Sequence, residues 1–69
     1  MPLTMAREGE VNRIKKIGGK DEIRRFLESL GFVVGGDVTV ITSSMGNIIV
    51  NIKESRIAIS REMANKILI

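Results

Sequence analysis

Arg13, Lys15, Lys16, Lys20, Arg24 and Arg25 crowd one short stretch in which Asp21 and Glu22 are the only carboxylates. So dense a run of cations makes a positive face, and such a face has three uses. It keeps a small protein soluble, steers an acidic protein surface onto the chain, or meets the phosphates of a nucleic acid. The residues argue against the third use, although the pI is near 9.8. Phe26 and Phe32 are the only aromatic residues and both fall among core positions, so bases would find no stacking platform. Nucleic acid would be limited to backbone contacts.

Other chemistries are removed by residue types that the 69 positions lack. With no histidine and no cysteine, no Ser/His/Asp set, no disulfide and none of the usual zinc ligands can be assembled. Gly18, Gly19 and Lys20 read as a strand-to-helix turn. Without a longer glycine-rich loop ending in Gly-Lys-Ser/Thr, they make no phosphate cradle. Asp21, Glu22, Asp37, Glu54 and Glu62 offer hard oxygen donors, but their spacing gathers no three on one face, and they read as helix-capping or solvated charge. Met1, Met5, Met45 and Met63 offer thioethers and read as core filler. The expectation is no catalytic set and no tightly held cofactor, with a divalent ion bound weakly at most.

The elements that position these side chains follow from periodicity. Ile23, Phe26, Leu27 and Leu30 recur at i, i+3, i+4 and i+7, the apolar stripe of a helix of about three turns lying on a core. Asp21 and Glu22 stand in its first turn, at the positive end of the dipole. Gly31 suits the left-handed ending, with Phe32 folding back on Leu27. Beyond it, Val38 and Val40 alternate with polar neighbours, and Ile48, Val50 and Ile52 keep a two-residue period. These two strands form a hairpin through the small polar loop 43–47. Residues 56–59 add a third strand, with Ile57 and Ile59 on one face and residues 53–55 as the turn before it. Ser60 suits the N-cap of a single helical turn over residues 61–66, and Ile67, Leu68 and Ile69 read as a last short strand.

Residues 10–17 are ambiguous, because Val11, Ile14 and Ile17 are spaced by three. A strand with a bulge that shifts the inward face reconciles that spacing with a two-residue period. The sum is a mainly β fold with one α-helix: a small, strongly bent barrel of five to six short strands. The helix is inserted between the first long strand and the central hairpin. The length fits one domain over residues 1–69 with a core that is only just sufficient. Arg7, Glu8 and Glu10 follow Met1 and Met5 at once, so no signal-peptide core and no membrane span is expected, which suits a soluble cytoplasmic protein.

In this order and spacing the chain resembles the FeoA family, ferrous iron transport protein A, along essentially its whole length. Pro2 and Leu3 resemble the family's opening, Gly9 and Glu10 its Gly-Glu before the first strand, and Ile17, Gly18 and Gly19 its Ile-Gly-Gly before the helix. Arg25, Leu27, Leu30, Gly31, Phe32 and Gly35 resemble its Arg-x-x-Leu-x-x-Leu-Gly-hydrophobic-x-x-Gly pattern. Met45 and Gly46 fall where it often has Leu-Gly. Ile57, Ala58, Ile59, Arg61, Glu62 and Ala64 resemble its Ile-Ala-Leu-x-x-Glu-x-Ala ending. Val34 departs from the family's proline before Gly35, and Glu54 with Ser55 stand where a glycine usually makes the turn.

The resemblance implies an SH3-like barrel and a small cytoplasmic accessory of ferrous iron uptake. It also implies action by contact with FeoB, the GTP-binding iron permease, whose grip would draw the chain to the inner face of the membrane. No enzyme activity is implied, and ferrous iron would be met only weakly. The candidate contact residues are Arg13, Lys15, Lys16, Lys20, Arg24 and Arg25. The same barrel resembles the C-terminal domain of DtxR-type metalloregulators, so a freestanding effector domain or a basic nucleic-acid-binding module stands as the alternative. Finally, Ile67, Leu68 and Ile69 point to both faces of their strand. That strand would be a homodimer or docking edge unless the barrel itself encloses it.

Overall fold

A computed structural model describes all residues 1–69. A 3-10 turn, Leu3–Met5, leads to β1 (Val11–Arg13), β2 (Lys16–Ile17), α1 (Asp21–Leu30), β3 (Asp37–Ser43), β4 (Asn47–Ile52), β5 (Ser55–Ser60), α2 (Arg61–Ala64) and β6 (Ile67–Leu68). β1, β3, β4 and β5 form an antiparallel sheet in that order, and β2 pairs with β6 in a second one. The barrel is therefore open, with two hydrogen-bonded sheets around a core of 14 residues, none of them polar.

The helix ends as its residues dictate. Gly31, at φ 110°, donates its amide to the Glu28 carbonyl (3.0 Å), and the Phe32 amide donates to the Leu27 carbonyl (3.0 Å). This is the paired bond pattern of a Schellman ending, and Leu27 and Phe32 are both fully buried in the same cluster. Phe26 is a correction, since it is 49% exposed and not part of the core. At about 100° per residue it lies that far round the helix from Leu27. Only the narrower stripe of Ile23, Leu27 and Leu30 meets the sheets.

The segment 10–17 is extended, as expected, but the reason for its three-residue spacing differs. The chain leaves one sheet and enters the other at Ile14 and Lys15. Ile14 is fully buried at the crossing, donating its amide to the Gly36 carbonyl (2.9 Å) and accepting from the Gly35 amide (2.8 Å). The Lys15 amide donates instead to Leu68 (2.8 Å). Val11 belongs to the first sheet and is exposed. The bulge sits in β3, where Val40 pairs with Val50 but Thr42 with Ile49, leaving Ile41 as the extra residue.

The last strand is enclosed. Lys16 of β2 lies opposite Leu68 on one side, and Pro2 bridges to Leu68 on the other. The Ile69 amide donates to the Met1 carbonyl (2.7 Å). Leu68 is half-buried, and Ile67 and Ile69 are buried, so the edge expected to serve a homodimer or a docking partner is occupied by the chain's own first residues. The methionines are a second correction: Met63 packs on the core, whereas Met1, Met5 and Met45 are exposed.

A basic turn as the candidate functional site

Two glycines shape the turn between β2 and α1. The Gly18 amide donates to the Lys66 carbonyl (2.7 Å), which fastens the turn to the start of β6. Gly19 has φ 94°, and a Cβ there would come within 3.0 Å of Lys66 Cδ, so the Lys66 side chain lies directly over this glycine. Lys20 follows, extended and without a side-chain cap, as the residue before the helix. Lys16, Lys20 and Lys66 thus surround one turn, with Lys15 next to Lys16 in chain.

Lys66 is the residue that sequence reasoning missed. Its neighbours in sequence are Asn65 and Ile67, and nothing local marks it as part of a cationic cluster. Only the antiparallel register of β2 against β6, with Ile17 opposite Ile67, carries it to Gly18 and Gly19.

The remaining predicted residues are placed differently. Arg13 ends β1 directly opposite Asp37 of β3, a cross-strand neighbour of opposite charge with which it forms no ion pair. Arg24 pairs with Asp21 one turn back on α1, an exposed contact of little energetic weight. Asp21, Arg24, Arg25 and Glu28 together line a shallow depression of about 240 Å³. Two cations and two anions make that stretch of helix electrically mixed. At the turn, Lys15, Lys16, Lys20 and Lys66 are paired with no carboxylate, whereas along the helix the cations stand among carboxylates.

No three acidic side chains converge where they could hold a metal ion, and no polar side chain is buried. Phe26 presents one exposed ring and Phe32 none, whereas nucleic-acid platforms present successive rings. No helix is long and apolar enough to cross a membrane.

Comparison with known proteins agrees with this architecture. The FeoA domain family matches residues 1–69. A protein named as an Fe(2+) transport protein A, from Methanocaldococcus jannaschii, is 38% identical over 68 residues, covering 99% of this chain and 83% of that protein. The crystal structure of an iron uptake regulatory protein, FeoA, superposes with a TM-score of 0.90 at 26% identity, over 97% of this chain and 91% of that one. Stenotrophomonas maltophilia FeoA, solved with zinc and described as an SH3 domain protein, gives 0.84 at 22% identity, over 99% of this chain and 87% of that one. A manganese-dependent transcriptional repressor gives 0.88 at 20% identity, over 97% of this chain but 39% of the repressor. The last two speak for a shared SH3-like fold alone. With the family matched from end to end and the fold reproduced in independent structures, the chain belongs to the FeoA family of ferrous iron transport proteins.

Proposed function

We propose that this protein is a cytoplasmic, non-enzymatic accessory of ferrous iron uptake that docks on FeoB through the basic turn between β2 and α1. The observation that carries the reading is the set Lys15, Lys16, Lys20 and Lys66, exposed or half-buried cations left without carboxylate partners. On an FeoA domain the partner that answers such a surface is an acidic patch on the permease's cytoplasmic side. The gain lies in faster and better-oriented encounter more than in raw affinity. Contact is the whole of the action. No histidine, no cysteine and no buried polar group is available for acid–base, nucleophilic or redox work. No resident metal is required, and ferrous iron is the permease's cargo.

Calorimetric titration into the GTP-binding domain of FeoB, and then into the whole permease, with and without nucleotide, tests this. Binding to either is expected, weakening steeply with added salt. Lys16→Glu with Lys20→Glu is expected to reduce affinity at least tenfold. Arg24→Glu with Arg25→Glu is expected to reduce it less, because Asp21 and Glu28 already offset those charges. No binding to either form overturns the reading, and a larger effect at the helix pair than at the turn pair relocates the contact.

A further inference from the structure

Every strand edge of the fold but one is short or covered. On β6, Pro2 bridges to Leu68 and the Met1 carbonyl accepts the Ile69 amide. β2 has only two residues, and β1 has three before the chain leaves for the second sheet. The Asn12 side-chain amide also donates to the Glu10 carbonyl (3.1 Å) beside β1. β5, at the other end of the four-stranded sheet, is different: six residues of regular ladder, with no proline and no bulge.

The two-residue connection at 53–54 fixes the phase of that ladder. Ile52 and Ser55 flank it as a hydrogen-bonded pair, so Val50 with Ile57 and Ile48 with Ile59 are hydrogen-bonded pairs as well. The N–H and C=O groups of Arg56 and Ala58 therefore point away from β4. Neither residue has a hydrogen bond outside the ladder, and both are exposed. Such an edge is a template for one more strand. We infer that β5 pairs antiparallel with β5 of a second copy of this chain, joining two four-stranded sheets into one. This association is independent of the proposed docking on the permease.

Two observations favour a second copy over a foreign strand. Domains that take up a foreign strand read its alternate side chains in pockets beside the edge, whereas the depression of this molecule lies on α1, lined by Asp21, Arg24, Arg25 and Glu28. β5 is also complementary to itself. A two-fold axis at Ala58 sets Ala58 against Ala58 and Arg56 against Ser60, so no like charges face each other, whereas an axis at Arg56 would oppose two guanidinium groups. On the outer face, the row Thr42, Ile49 and Ala58 crosses β3, β4 and β5. With the axis at Ala58 it continues into the same three residues of the copy, and the whole row carries no charge. A seam of two strand edges falls below the roughly 1,000 Å² of a lasting interface, so the dimer is a weak one.

Sedimentation equilibrium of the full chain, with amide exchange at low and high protein concentration, tests this. A monomer–dimer equilibrium is expected, with exchange at the Arg56 and Ala58 amides slowed only at high concentration. Added salt should strengthen it, because each copy carries a net charge of +3. Ala58→Lys and Ala58→Glu, at an exposed position, should each weaken it about tenfold or more, and an equimolar mixture of the two should regain it. Val11→Lys on the β1 edge should stay within about twofold of the wild type. A strict monomer up to about 1 mM overturns the proposal. A dimer that survives both Ala58 variants, or that is lost only with Val11→Lys, overturns it too, and a mixture that stays monomeric overturns the pairing of Ala58 with itself.

Discussion

The β3–β4–β5 meander and the β2–β6 pair are held together by different means. In the meander, each strand lies against its sequence neighbour across a short turn, and the ladders run for five and six residue pairs. The second sheet has two residue pairs, and its strands come from opposite ends of the chain. It is completed by single bonds from Lys15 to Leu68 and from Gly18 to Lys66, and by a reciprocal pair between Ile69 and Met1. The first is a local structure that happens to be buried on one face. The second exists only because the chain closes on itself, and it carries the basic turn. The difference teaches that the candidate docking surface stands on the part of the molecule with the fewest regular hydrogen bonds.

Ile67→Ala should break the closure most severely. Ile67 is fully buried in β6, opposite Ile17, and removing most of such a side chain costs about 2–5 kcal/mol. A domain of this length has roughly 3–5 kcal/mol in all. The variant is therefore expected to be largely unfolded at 37 °C. The core is one cluster with members in both sheets, so far-ultraviolet circular dichroism and amide exchange in β3 and β4 should be lost together with exchange protection at Lys15, Gly18 and Ile69. A meander that keeps its protected amides while the closure opens would show the two regions to be independent units.

Gly31→Ala probes the helix that links them. The φ of 110° at Gly31 is open to glycine and strained for any L side chain, although a Cβ would meet Ile52 and Lys53 only at ordinary contact distance. Strain rather than collision sets the effect, about 1–2 kcal/mol of lost stability. A urea midpoint shifted by that amount with an unchanged slope is the expected result, and no shift would mean that the turn relaxes freely.

The same division governs what the sequence shows. Every feature written within a few residues is legible: the carboxylates and glycine that bound α1, the 43–47 loop, and the Ser60 hydroxyl that accepts the Met63 amide at 3.2 Å. Features that depend on a distant partner are not. The crossing at Ile14 requires the Gly35–Gly36 loop on one side and Leu68 on the other, so its spacing imitates a bulge. The actual bulge at Ile41 is set by β4, and Val40 followed by Ile41 gives only a faint sign of it. Phe26 continues the apolar stripe but falls beyond the edge of the surface that the sheets offer. At the candidate site, Lys15, Lys16 and Lys20 are visible as a charge run, whereas Lys66 joins them only through the β2–β6 register.

The smallest effect should come from the tightest turn of the meander. Ile52 pairs with Ser55, which leaves Lys53 and Glu54 as a two-residue connection, and Lys53 alone among the non-glycine residues has a positive φ, 50°. The family resemblance places the missing glycine at Glu54 or Ser55, but the strained backbone is one residue earlier. Lys53→Gly would relieve a left-handed penalty of about 1–2 kcal/mol and add about 0.5–1 kcal/mol of unfolded-state freedom, for a net gain near 0.5–1 kcal/mol. Part of that gain is offset, because the Lys53 side chain reaches the carboxyl end of α1 beside Gly31, where a cation is favourable. Thermal melts at low and high salt separate the two terms. Screening removes the lost charge interaction, so the stabilisation of Lys53→Gly should be larger at high salt. A variant less stable than the wild type at every salt concentration would mean that Lys53 serves the helix end more than its backbone strains the hairpin.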